Sequence, residues 1–240
     1  MSKDNESRRD FLKKGAAGVA GMAFIPTALK AAGGEEQAES KEPKKKFIYR
    51  TLGKTGIKLP IVSMGARFDT PDNIRAALDA GIVHIDTANV YGMGQHETAV
   101  GEAVKGRPRD SFVIGTKVYM PMDEKTGLYP DGAPQEPFIK SFEDGLKRLG
   151  LEYVDILYLH DVVKGPSVTF EPYLSAMKKI KESGKAKFLG VSTHTNEPEV
   201  MNATVDSKAY DVILTAYNFL QPHLPEVEKA IDRAAKAGIG

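Results

Sequence analysis

Tyr153-Val154-Asp155-Ile156-Leu157-Tyr158-Leu159, closed by His160, is a nearly unbroken apolar run. Such continuity predicts a strand buried on both faces, as in a parallel sheet covered by helices. The segments on either side read as helices. Phe138–Leu149 precedes the run and is closed by Gly150; Phe170–Ser183 follows it and is closed by Gly184.

The same rhythm extends in both directions. Ile61–Ala66 reads as a strand. A helix follows from Thr70, a good cap with Pro71 in its first turn, to about Ala80, and Gly81 ends it. Val83–Ala88 and Phe112–Val118 read as strands, with a helix over Glu97–Lys105 between them. Beyond the central run, strand Ala186–Ser192 leads to a short helix near Pro198–Val205. Strand Val212–Tyr217 leads to helix Leu224–Lys236, ended by Gly238.

Six strand–helix pairs in strict alternation predict an α/β fold of the (β/α)8 TIM-barrel type, incomplete. Closing such a barrel takes eight strands in roughly 250 residues. Here Gly238-Ile239-Gly240 stands where a seventh strand would begin, so truncation is favoured over a sheet left open by design. Before the repeat, Phe47–Leu52 and Ile57–Leu59 flank Gly53-Lys54-Thr55-Gly56, which predicts a small hairpin.

The N-terminus has another character. Ser7-Arg8-Arg9-Asp10-Phe11-Leu12-Lys13 precedes a weakly apolar, Gly/Ala-rich run from Gly15 to Leu29, too short and glycine-rich to span a membrane. This order resembles a twin-arginine export signal; the plain alternative is a basic, frayed terminus. Lys30 interrupts the cleavage site, so cleavage near Ala31–Gly34 and an uncleaved membrane anchor both stay open. The expected organisation is a signal region over 1–34, a charged linker over 35–46 and a barrel domain over 47–240. The expected location is the periplasm, reached through the twin-arginine machinery.

Composition narrows the chemistry. Apolar residues make up 41% and charged residues 27%, as in an ordinary globular body. A formal charge of +1 gives no reason to expect nucleic acid. The absence of cysteine removes disulfides, thiolate zinc sites and iron–sulfur ligation by this chain.

In a barrel the carboxyl ends of the strands meet at one mouth. Asp86, with Tyr91 five residues on, Lys117 and His160 would converge there. One reaction that would use such a cluster is carbonyl reduction, which needs a hydride at carbon and a proton at oxygen. A free phenol, with a pKa of about 10, is a poor acid at neutral pH. A neighbouring ammonium favours phenolate and makes the phenol a better donor. Tyr91 is therefore assigned as proton donor and Lys117 as the cation that activates it. Asp86 would hold Lys117, and His160 would orient the carbonyl and bond its developing oxyanion. Taken singly, each has a plainer reading: rim packing for Tyr91, a structural ion pair for Asp86 and Lys117, a satisfied polar residue for His160. His84 is read as packing or support behind Asp86.

The stretch Gly81-Ile82-Val83-His84-Ile85-Asp86-Thr87-Ala88-Asn89-Val90-Tyr91-Gly92, followed by Glu97 and Gly101, resembles the aldo-keto reductase signature. Gly115-Thr116-Lys117 and Leu157-Tyr158-Leu159-His160 match that family's next two motifs in order. The resemblance implies NADP(H) or NAD(H) as cofactor and a small-molecule carbonyl substrate. It places Ser192 and Thr193, where the family usually has Ser and Asn, at the nicotinamide amide, and Tyr217 beside them; Leu214 stands where a Gln is common. The family's loops after strands seven and eight, which grip pyrophosphate and adenosine, have no counterpart. An exported reductase would keep its cofactor bound and recycled by a redox partner, or use another donor.

Two other readings compete. A metal-dependent barrel hydrolase or isomerase would use His84, Asp86, His160, Asp161 and His194, although Lys117 would repel a divalent cation. A non-catalytic barrel fragment would act as a binding module.

Overall fold

The computed structural model of the chain describes residues 47–65 and 69–240. The expected signal region and linker lie outside the described residues. Strands β1 (Tyr49–Thr51) and β2 (Lys58–Pro60) form the antiparallel hairpin, with Arg50 opposite Leu59. Six further strands form one sheet: β3 (Met64–Gly65), β4 (His84–Asp86), β5 (Val113–Val118), β6 (Val154–Leu159), β7 (Ala186–Thr193) and β8 (Val212–Thr215). Every neighbouring pair is parallel, and spatial order follows chain order. The helices between them are α1 (Pro71–Asp79), α2 (Gln95–Val104), α3 (Glu136–Leu149), α4 (Gly165–Val168), α5 (Glu171–Glu182), α6 (Glu197–Ser207) and α7 (Leu224–Ala237). This is the wall of an incomplete (β/α)8 barrel. Gly240 hydrogen-bonds beside β8, donating to the Asp211 carbonyl at 3.1 Å and accepting from the Ile213 amide at 2.8 Å.

Alternation along each strand sorts side chains between two cores. Ile114, Val118, Leu157 and Leu159 face the helices and pack against Ile74, Val100, Phe142 and Met177. Ile156, Tyr158 and Val212 face the interior, where Leu52 and Ile57 of the hairpin join them. Tyr158 fills that interior because its register neighbour on β7 is Gly190. A Cβ on Gly190 would lie 2.4 Å from the Tyr158 ring.

Thr70 caps α1 as expected, its hydroxyl accepting from the Asn73 amide. Helix α4 and the 3-10 turns Tyr91–Gly94 and Arg109–Ser111 were not legible beforehand. A single turn is too short to develop a hydrophobic period, and Gly165-Pro166 reads as a breaker. Strand β8 ends at Thr215, short of Tyr217. The long loop 119–137 is anchored by packing: Met120 and Tyr129 are buried, and the Tyr129 ring meets Phe170 and Tyr173. No helix among the described residues is long and apolar enough to cross a membrane.

Candidate active site

Asp86 ends β4, Lys117 is the penultimate residue of β5, and His160 directly follows β6. Parallel register puts all three at the carboxyl edge of the sheet. Tyr91 arrives from the 3-10 turn after β4, where Gly92 and Met93 both take φ 55° and turn the chain sharply into α2.

Lys117 is 1% exposed, so its ammonium must be satisfied within the protein. It donates to the Asp86 carboxylate, to the Thr87 carbonyl at 2.9 Å and to the Tyr91 hydroxyl at 3.2 Å. An ammonium has three protons and no lone pair. Tyr91 is thus an acceptor toward Lys117, and its own proton must go elsewhere. The ammonium also lies 4.6 Å from the Tyr91 ring centre.

His160 is held from the next strand. Its Nδ1 lies 2.9 Å from Ser192 Oγ, which also accepts the Asp161 amide at 3.0 Å. Asp161 takes φ 55°, a left-handed conformation uncommon outside glycine, and the Ser192 bond helps pin it there. The Tyr91 and His160 rings meet edge-on at 5.9 Å.

A cavity of about 260 Å³ opens over this cluster, lined by Gly65, Asp86, Tyr91, Lys117, His194, Leu214, Thr215 and Ala216. Asp86, Tyr91 and Lys117 thus share one cavity, and His160, outside its lining, joins them through its ring contact with Tyr91. The three expected cofactor contacts stand differently. Ser192 is fully buried with its hydroxyl turned to His160. Thr193 is fully buried, its hydroxyl donating to the Thr195 carbonyl at 2.9 Å. Tyr217 is 55% exposed, bonded to Glu228, and outside the cavity lining. Among the described residues no group of three or more His, Asp or Glu side chains converges as a metal site.

Sequence reasoning gave no role to His96, or to Glu97 and Thr116 beyond their places in the signature. His96 Nδ1 lies 2.8 Å from Thr87 Oγ1, and its ring lies 6.2 Å from that of Tyr91. Burial holds the imidazole pKa below its usual value, so it is neutral around pH 7.

The described aldo/keto reductase family matches residues 65–240. The chain belongs to the aldo/keto reductase family. It is 35% identical over 163 residues to L-glyceraldehyde 3-phosphate reductase of Escherichia coli K12, covering 62% of this chain and 46% of that protein. It is 38% identical over 120 residues to probable aldo-keto reductase 1 of Glycine max, covering 50% of this chain and 34% of that one. The chain thus spans about half, or less, of the length of these curated relatives. Among solved structures, the thermostable aldo-keto reductase Tm1743 superposes with a TM-score of 0.65 at 26% identity, covering 80% of this chain and 70% of that one. Aldo-keto reductase AKR11C1 of Bacillus halodurans, in its holo form, gives a TM-score of 0.68 at 22% identity, covering 81% and 65%, a likeness of fold.

Proposed function

We propose that this aldo/keto reductase domain is an NAD(P)-dependent oxidoreductase that interconverts a small aldehyde or ketone and its alcohol, with Tyr91 as proton donor. The observation that carries this is Lys117 donating to Tyr91 and Asp86 on the floor of one cavity. The donor set fits the nicotinamide end of the cofactor. His194 can donate and accept, as an amide requires; the Thr215 hydroxyl, which donates to the Ala216 carbonyl at 3.2 Å, can accept; and Leu214 and Ala216 offer apolar surface to a planar ring. These residues would hold it, with the exposed Tyr217 ring at the rim and Ser192 and Thr193 supporting from behind. When bound, the cofactor supplies the hydride.

The chain's own residues handle the proton. Tyr91 gives its proton to the carbonyl oxygen, and the Lys117 ammonium stabilises the phenolate left behind. Asp86 accepts from that ammonium and holds it in place. In the tautomer this role requires, Ser192 accepts from the Asp161 amide and gives its own proton to His160 Nδ1. His160 then keeps its proton on Nε2 and offers it as a hydrogen bond to the developing oxyanion, which Tyr91 protonates.

The test is consumption of NADPH or NADH by the purified chain with a broad aldehyde such as 4-nitrobenzaldehyde. Turnover that Tyr91→Phe abolishes supports the reading; NADPH binding without any turnover would favour a binding module instead. We also propose that residues 1–34 form a twin-arginine export signal and 35–46 a linker, with a periplasmic destination. Export of a reporter fused after residue 46, unaffected by replacing Arg8 and Arg9 with Lys, would refute this.

A further inference from the structure

Tyr91 and Lys117 lie on different elements, and their 3.2 Å contact requires those elements to keep a fixed relation. Tyr91 opens the turn that leads into α2, while Lys117 is part of β5. Thr116, next to Lys117, points to the opposite face of the strand. There its hydroxyl donates to Glu97 Oε1 at 2.7 Å. Glu97 stands in the first turn of α2 and is 1% exposed. Its second oxygen accepts Arg148 Nε at 2.9 Å and Nη2 at 2.7 Å from α3. One buried carboxylate therefore ties the helix behind Tyr91 to the strand bearing Lys117 and to the neighbouring helix.

The surroundings are shaped for that carboxylate. A Cβ on Gly145 would lie 2.8 Å from Glu97 Oε1, so any side chain there would displace it. The same turn of α2 makes a second tie: His96 meets Thr87, whose carbonyl accepts from Lys117. A buried ion pair is weak grounds for stability, because desolvation offsets much of the attraction. Its three charge-assisted bonds are directional, however, and fix geometry closely.

We propose that Glu97 is a positioning residue for proton transfer, setting the Tyr91–Lys117 distance through Thr116. The inference rests on the reading of Tyr91 as donor. Glu97 is absent from the cavity lining and acts only through its neighbours. A misplacement of about 1 Å at reacting groups can cost on the order of a hundredfold in rate.

Thr116→Val removes the hydroxyl while keeping the shape, and Thr116→Ser restores it. Gly145→Ala displaces Glu97 without deleting a polar group, and serves should Thr116→Val fail to fold. Two quantities are read: aldehyde reduction, and the exchange rate of the Lys117 Nζ protons by nitrogen-15 NMR. In either disruptive variant we expect kcat to drop by about tenfold or more with KM within about twofold. The Nζ protons should exchange about tenfold faster, and Thr116→Ser should recover both. A folded disruptive variant with unchanged exchange overturns the proposal, whatever its kcat or melting temperature. Faster exchange with unchanged kcat overturns it as well. Should the wild-type chain reduce no aldehyde, the proposed function fails, and the exchange rates alone decide for or against Glu97 as the residue that fixes Lys117.

Discussion

The Lys117 ammonium lies 3.2 Å from the Tyr91 hydroxyl and has a partner for each of its three protons: Tyr91, the Thr87 carbonyl and the Asp86 carboxylate. The phenol is an acceptor in this arrangement, so its proton is directed away from the lysine. Geometry of this kind suits a proton donor whose conjugate base must be stabilised.

Tyr91→Phe removes the transferable proton together with the hydroxyl that accepts from Lys117. General acid catalysis contributes about 10²–10⁴-fold, so kcat for aldehyde reduction should fall by that order. NADPH affinity, followed by fluorescence, should stay within about twofold. Wild-type turnover in the variant would end the assignment.

Asp86→Asn removes the negative charge beside a buried ammonium and leaves it only neutral acceptors. Breaking a buried pair from one side costs about 3–5 kcal/mol, and urea denaturation should show a loss of that order. Asp86→Asn combined with Lys117→Met should recover much of it, because the uncompensated charge is gone. A double variant no more stable than the single one would mean that the pair itself is not the source.

Ser192→Ala deletes the hydroxyl that meets His160 Nδ1 and the Asp161 amide. The imidazole loses the contact that selects its tautomer, and Asp161 loses support for its left-handed backbone. The expectation is a fall of about tenfold in kcat/KM for the carbonyl substrate. An unchanged value would show that His160 is oriented by other contacts.

Burial holds both His84 and His96 below their ordinary value of 6.5, with Asp86 and Asp155 opposing the shift at His84, Asp69 and Asp86 opposing it at His96, and Lys117 adding to it at both. Between the folded values and 6.5 the unfolded chain binds more protons than the folded one. Stability therefore rises with pH through this window, is complete above about pH 6.5, and is lost as the pH falls below it. The urea midpoint should drop between about pH 7.5 and about pH 5.5. His96→Gln should make that dependence shallower; an unaltered slope would remove His96 as a contributor.

Much of this was written in the chain order. The run Tyr153–Leu159 announced a strand buried on two sides, and Gly81, Gly150, Gly184 and Gly238 marked helix ends that the structure places within two residues. Asp86, Lys117 and His160 were legible because each sits at the end of a strand, and parallel strands of a barrel wall share one edge. Period and punctuation are local signals, so local sequence carries them.

Contacts between elements were not legible in that way. The order of residues says that Thr116 adjoins Lys117, but not that its hydroxyl meets Glu97 or that Arg148 closes the other side. It did not reveal that Ser192 serves His160 while His194 and Thr215 line the cavity, since a hydroxyl's partner depends on which face of the pleat it occupies and what packs there. Hydrophobic periodicity and turn residues set the kind and order of the elements before any contact is known. How side chains from β4, β5, α2 and α3 share their protons follows from packing alone, because hydrogen bonds act over about 3 Å between groups far apart along the chain.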